Sequence, residues 1–305
     1  MEGILPLYKP KGMTSHDCVF KLRKLLKIKK IGHTGTLDPN VDGVLPICIG
    51  RATKVAEFMT STEKAYEGEV TIGTATTTED ASGEIIASKK VNKAFTRREI
   101  LTVLDSLTGI IEQTPPMYSA VKVNGKRLYE YARKGIEVKR PTRKVHIYSL
   151  QLLDDQELFN EDEFSFKFRV NCSKGTYVRT LAVMIGERLG YPAHMSLLTR
   201  IKAATFELKD CLTFDQVEQS IETGNFVHQL FPLEKGISHL PKYKISDKVA
   251  EKVRNGAILP TPTQFEHQDE PIVVETNNGL AIAIYIKHPR KTGCIKPLKV
   301  LRNDI

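Results

Sequence analysis

Apolar residues recur along this chain with two periods, and the change from one to the other marks out its elements. From Ser15 to Lys27, Cys18, Val19, Leu22, Leu25 and Leu26 fall on one helix face, with Lys21, Arg23, Lys24 and Lys27 on the other. Thr14 or Ser15 is placed to cap that helix. From Lys64 to Gly73 the period is two. Tyr66, Gly68, Val70 and Ile72 alternate with Glu67, Glu69 and Thr71, which predicts a half-buried strand. Phe164, Phe166, Phe168, Val170 and Cys172 predict a second. Ser173-Lys174-Gly175-Thr176 breaks it, and a helix follows from near Tyr177, striped by Val178, Leu181, Ala182, Ile185 and Leu189 and stopped at Gly190. Residues 97–108 predict another helix, ending near Gly109. Strands outnumber helices and no regular βαβ alternation is visible. The expected class is therefore α+β: a mixed, largely antiparallel sheet flanked by helices.

Phe231-Pro232 and Leu240-Pro241 interrupt the pattern and place a boundary near 238, giving units 1–238 and 239–305. In the second, a helix is expected from Asp247 to Arg254, closed by Asn255-Gly256. The runs Ile272 to Thr276 and Leu280 to Ile286 are joined by Asn277-Asn278-Gly279, a hairpin signal. About 65 residues make a small core, so this unit is expected to pack on the first. The acidic cluster from Asp154 to Glu163 is expected to be a solvated loop.

Composition narrows the classes. No apolar run approaches the ~20 residues that span a bilayer, and the N-terminus has no signal-peptide pattern. Five scattered cysteines lack any Cys-x-x-Cys pair, so a reducing cytoplasm is expected rather than a disulfide framework or zinc knuckle. The net charge of +9 is uneven. Residues 1–60 hold ten cations against five acids and residues 114–145 nine against two, leaving the rest of the chain net acidic. Basicity confined to two segments points to a face for a polyanion.

One loop concentrates the candidate chemistry: Gly32-His33-Thr34-Gly35-Thr36-Leu37-Asp38-Pro39-Asn40, followed by Asp42-Gly43. Asp38 precedes a proline, which pushes it into extended backbone, and the loop runs into the apolar stretch Val44 to Ile49. A rigid carboxylate on a buried base suits a nucleophile or general base, and equally an ordinary Asx-turn. Arg179, at the start of the helix after the Ser173–Thr176 break, could pair such a carboxylate bidentately and hold it ionised. Alone it reads as an exposed helix residue, Tyr66 as a core tyrosine, His33 as a surface histidine and Leu198 as plain core. There is no P-loop, no His-Glu-x-x-His and no Gly-x-Gly-x-x-Gly after a strand, so neither metal nor cofactor is expected.

The loop resembles the G-H-x-G-x-L-D-P signature of the TruB family, the tRNA pseudouridine-55 synthases, and further blocks match in the same order. Lys9-Pro10 resembles the family's K-P-x-G block, Cys-Ser-Lys-Gly-Thr-Tyr-Val-Arg-Thr its arginine segment, and Pro115 to Gly125 its RNA-gripping insertion P-P-x-Y-S-A-x-K-x-x-G. The resemblance implies a catalytic Asp38, supported by Arg179, Tyr66 stacked on the target uracil, Lys9, and Leu198 as pocket wall. It implies that His33 fills the gap left by an everted base. It implies an insertion over about 114–145 whose Lys122, Lys126, Arg127, Tyr129, Arg133, Lys134 and Arg143 bind RNA, with Arg200 counted among the contacts. Lys126 to Lys134 is expected to be helical. The 239–305 unit resembles the family's PUA-like RNA-binding module. The implied partner is the T-arm stem-loop of tRNA, met by a monomer with no membrane, metal or cofactor. One position departs: where the family reads T-D-T-x-D-x-x-G, Thr77 replaces the first Asp, and no role is carried to it.

A second reading is an RNA-binding chaperone or assembly factor without catalysis, which the basic segments support equally. An aspartyl phosphotransferase is disfavoured, because Pro39-Asn40 follows Asp38 where Asp-x-Asp is the usual form.

Overall fold

The alternating runs pair into one large sheet, seen in a computed structural model that describes residues 1–303. Its strand order is Gly3–Lys9, Asp42–Ile49, Ala193–Ala203, Lys64–Ile72, Phe164–Cys172, Arg143–Leu152 and Gly109–Gln113, with Ile31–His33 added on Asp42–Ile49 and Phe206–Glu207 on Ala193–Ala203. Neighbours run antiparallel except at one join. There Asp42–Ile49 meets Ala193–Ala203 in parallel over two residue pairs, Thr199 with Asp42 and Arg200 with Gly43. Gly43 has φ +105, and a Cβ on it would lie 2.2 Å from the Arg200 carbonyl oxygen, so this seam closes only on glycine.

Helices cover the sheet where the stripes require. Ser15–Leu26 starts on a capping box between Thr14 and Asp17 and buries Cys18, Val19 and Leu22. They join Leu5, Leu7, Leu45 and Ile47 in one cluster. Val178–Leu189 stops at Gly190 in the left-handed conformation. Its Val178, Leu181 and Ile185 pack on Tyr66, Val70, Phe166 and Phe168. Each fully buried phenylalanine of that group stabilises the fold by roughly 1.5–3 kcal/mol.

Residues 242–300 form a separate five-stranded sheet: Lys242–Ile245, Ile272–Thr276, Ala281–Lys287, Cys294–Val300 and Leu259–Pro260. It packs on the first unit. Val273, Ala281, Ile284 and Leu301 share a cluster with Ile4, Val44, Leu233 and Ile237, and Arg302 meets Glu234 at 2.6 Å. Of the expected 239–305 unit, positions 304 and 305 lie outside the described residues.

Two expectations need correction. Lys126 to Lys134 is not one helix. Lys122–Val123 and Lys126–Arg127 pair as a hairpin, and only Leu128–Ala132 is helical. The cause is Asn124-Gly125, both at positive φ (51° and 79°), the turn that a two-residue hairpin favours. The acidic stretch is not wholly solvated either. Within it Leu158–Phe159 pairs with Phe95–Thr96, because Phe159 is needed in the core. Among the described residues no helix is long and apolar enough to cross a membrane, and the five cysteines are free.

Candidate active site

The Asp38 loop is pinned at both shoulders. Leu37 and Val41 are buried on either side of Asp38-Pro39-Asn40, so the intervening turn is forced outward. The Leu37 amide donates to Ser15 Oγ at 2.9 Å, and the Val41 amide to the Asp38 carbonyl at 3.1 Å. Beneath the turn lies the fully buried Lys9. Its ammonium donates to the carbonyls of Pro10 (2.9 Å), Pro39 (3.0 Å) and Val41 (2.7 Å). Those three bonds match an ammonium's three N–H groups, so Lys9 acts on the loop backbone. Burial nonetheless pulls its pKa down from the ordinary lysine value.

Arg200 holds the other shoulder. It is 1% exposed, donating from Nε to the Val44 carbonyl (2.8 Å) and from Nη2 to the Gly35 carbonyl (3.0 Å). Its expected role as an RNA contact is thereby confined to the edge it shows to a cleft lined also by Lys64 and Arg143. The side chain shares the inward face with Leu198, and its bonds tie the Asp38 loop at Gly35 to the strand Asp42–Ile49 at Val44.

Asp38 and Arg179 meet. Arg179 Nη2 lies 3.0 Å from Asp38 Oδ2, the arginine side chain almost fully buried and the carboxylate 45% exposed. The guanidinium is fixed from behind: Nη1 donates to the Thr78 carbonyl (2.9 Å) and Nη2 to the Tyr118 carbonyl (2.8 Å), with Asp80 at 3.8 Å. Asp80 is itself fixed by the Thr78 hydroxyl (2.7 Å) and the Ser82 amide (3.0 Å). Glu79 takes positive φ (62°) and accepts from the Thr180 hydroxyl at 2.7 Å. Its burial raises its pKa, an effect opposed by Thr180, Arg179 and Arg140. The departing Thr77 pairs with Glu84 across the turn, its hydroxyl accepting from the Glu84 amide (3.2 Å) and its amide donating to the Glu84 carbonyl (2.9 Å).

Asp38, Arg179, Tyr66 and Leu198 all line one cavity of about 180 Å³, whose other walls mix apolar Leu37, Val41 and Val178 with polar Thr36, Ser119 and Thr176. Among the described residues Asp38 is the one carboxylate on its wall. Tyr66 is buried, and that burial raises the pKa of its phenol. A second cleft, about 430 Å³, opens on the other side of the ion pair and adds Lys11, Asp80, Tyr118 and Leu197. Residues 118–120 of the insertion arch between the two. Sequence reasoning missed this part, because Tyr118 enters through its backbone carbonyl, which leaves no side-chain signature.

The remaining expected residues lie elsewhere. Lys122, Lys126, Arg127, Arg133 and Lys134 are exposed on the insertion. The guanidinium groups of Arg127 and Arg133 lie over the Tyr129 ring at 5.8 and 5.3 Å. Arg143 is half-buried over Tyr177 at 5.5 Å. His33 sits on the strand paired to Ile47, away from both cavities. Its pKa is lowered by burial, then by Arg200 and His16, and its buried Nδ1 has no partner. The described residues contain no cluster of three or more metal-ligating side chains.

Two family models match adjoining parts of the chain. Residues 23–178 match the N-terminal domain of the TruB family pseudouridylate synthases, and residues 179–237 a tRNA pseudouridylate synthase B C-terminal domain. Their boundary falls between Val178 and Arg179. The tRNA pseudouridine synthase B of Geobacillus thermodenitrificans is 62% identical over 302 residues, covering 99% of this chain and all of that protein. The protein of the same name from Bacillus cytotoxicus is 57% identical, covering 100% of this chain and 98% of its own. Among solved structures, a chain of a Cbf5-Nop10-Gar1 complex superposes with a TM-score of 0.75 at 27% identity, over 98% of this chain and 85% of that one.

Proposed function

The chain belongs to the TruB family of pseudouridylate synthases, and from that premise we propose that it converts a uridine of tRNA, at position 55 in the T-loop, to pseudouridine. The target nucleotide is everted from the stack. Its base enters the cavity lined by Tyr66 and Leu198, where stacking on the ring offsets part of the unstacking cost. The Asp38 carboxylate drives cleavage of the N1–C1′ bond. The base turns, rejoins through C5 and loses the C5 proton while N1, freed from C1′, takes one up, so substrate and product have the same composition. Arg179 and Lys9 keep the carboxylate and its loop in place. The exposed cations of the insertion grip the T-arm, and the 239–305 unit adds a PUA-like RNA contact. An isomerisation needs no redox partner or energy donor, so the enzyme acts without a cofactor, as a cytoplasmic monomer.

The observation that carries this reading is the 3.0 Å Asp38–Arg179 pair on the wall of the cavity that also holds Tyr66 and Leu198. The test is mass mapping of pseudouridine in T-arm RNA incubated with the protein alone. Wild type should modify one uridine. Asp38→Asn should make no product while binding the RNA about as tightly. Turnover by that variant at the wild-type rate would overturn the assignment. RNA binding without product from wild type would leave the chaperone reading standing.

A further inference from the structure

Beside the Asp38 cavity lies a larger cleft, about 640 Å³, whose charge is of one sign. Lys64, Arg143, Lys174 and Arg200 line it, and no carboxylate does. It shares Thr36, Tyr66, Thr176 and Tyr177 with the catalytic cavity, so the two are neighbours across one wall. Its cations come from four separate segments. Lys64 starts the central strand, Arg143 begins the strand leaving the insertion, Lys174 sits in the turn before the arginine helix, and Arg200 pairs with Tyr66 across the sheet. Convergence of that kind is tertiary, and like charges gathered without a counter-ion repel one another.

Two glycines let the backbone come close to these groups. A Cβ on Gly35 (φ +73) would lie 3.5 Å from both Arg200 Nη1 and Lys64 Cε, and one on Gly175 (φ +82) would lie 3.3 Å from Arg143 Nη1. Lys64 Nζ donates to the carbonyls of Thr60 (3.0 Å) and Thr62 (2.9 Å). Two of its three N–H groups therefore fix the ammonium and one is left for a ligand. Among the described residues no acid lies within ion-pair distance of Lys64, Arg143 or Lys174. Burial, then Arg200 and Lys174 against the opposing Cys172, lowers the Lys64 pKa to about 8. A bound anion would reverse that pull.

We propose that this cleft seats the phosphodiester flanking the everted uridine, with Lys64 as its innermost ligand. The inference rests on the functional reading above. With the base on Tyr66 and C1′ at Asp38, the sugar lies at the shared wall and its phosphate falls one sugar beyond. The opposite cleft carries Asp80 beside Asp38, so charge selects the Lys64 side.

The test pairs Lys64→Gln with T-arm RNAs in which the phosphodiesters around the target uridine are replaced, one at a time, by neutral methylphosphonates. The variant should raise KM about 10- to 100-fold, as expected for one charge-assisted contact, with a much smaller loss in kcat. The slope of log affinity against log salt should fall by about 0.7–0.9. One neutral linkage should weaken wild type and leave Lys64→Gln unaffected, and Lys64→Arg should recover most of the loss. Lys174→Gln, an exposed site, should show the same pattern more weakly and guards against misfolding of the first variant. Wild-type KM and salt slope in both variants, or losses that add independently at every linkage, would overturn the proposal. Affinity is read without turnover. An absence of pseudouridine from wild type would therefore count against the functional reading and leave this result interpretable.

Discussion

The cations beneath the Asp38 loop and those on the insertion carry the same charge and serve opposite ends. Lys9, Arg179 and Arg200 are buried, and each donates to two or more backbone carbonyls of the surrounding loops. Lys122, Lys126, Arg127, Arg133 and Lys134 are exposed, and their partners within the chain are few. A buried cation with a full set of acceptors fixes geometry at a high desolvation cost. An exposed one keeps its capacity for an incoming phosphate and contributes little to stability. Arg179 bridges both roles, since its carbonyl acceptors hold it in place while one side of it faces Asp38.

The sharpest way to break this contrast is Arg179→Ala. It removes the partner of Asp38 and strands two carbonyls, and kcat should fall on the order of 10²–10³-fold, the size seen when a preorganised electrostatic group is lost. Arg179→Lys should recover little, because an ammonium cannot reproduce the planar fork. Single-turnover rates with saturating RNA check both. Next comes Lys9→Met, which leaves the Pro10, Pro39 and Val41 carbonyls without their donor. Stability should drop by about 2–4 kcal/mol in urea unfolding and kcat should fall with it, since an orphaned buried acceptor costs roughly 1–3 kcal/mol and lost ammonium burial returns part of the total.

Replacing Lys126, Arg127, Arg133 and Lys134 together by alanine should leave the melting temperature within about 2 °C of wild type, as surface changes within ±0.5 kcal/mol would. RNA affinity should weaken, and its salt slope should fall by about 0.7–0.9 per phosphate contact removed. A large loss of stability here, or none from Lys9→Met, would erase the distinction. The smallest effect is on pH. Lys64 has a folded pKa of about 8 against 10.5 for a free lysine, so the folded protein sheds this proton first as pH rises. The cost of burying its charge is relieved between those values, while affinity for a phosphate declines over the same window. KM for RNA should therefore climb as pH rises above about 8 in wild type and do so less in Lys64→Gln.

Much of the site was legible in the sequence, because the Asp38 loop and the Arg179 segment each carry a distinctive local motif although 141 positions separate them. The helix and strand periods placed their elements well for the same reason: Val178 to Leu189 and Phe164 to Cys172 show one face each. The burial of Arg200 was missed by reading its charge before its position. It lies two residues from Leu198 on the same strand, so a buried Leu198 already implies a buried Arg200. Lys64 left no trace, since an ammonium at the start of a strand looks like any solvated end until three other segments converge on it. The Tyr118 carbonyl could not be seen at all.

The two-pair seam between Asp42–Ile49 and Ala193–Ala203 roots the Asp38 loop. Elsewhere each half of the sheet is stitched by long antiparallel ladders, so a slight opening of this join would sacrifice few bonds. Gly43→Ala would press a Cβ against the Arg200 backbone at a left-handed φ, so such alleles would lose stability along with the alignment of Asp38 and Arg179. Genetic screens that score expression or melting would therefore already flag such carriers, before any modified RNA is measured.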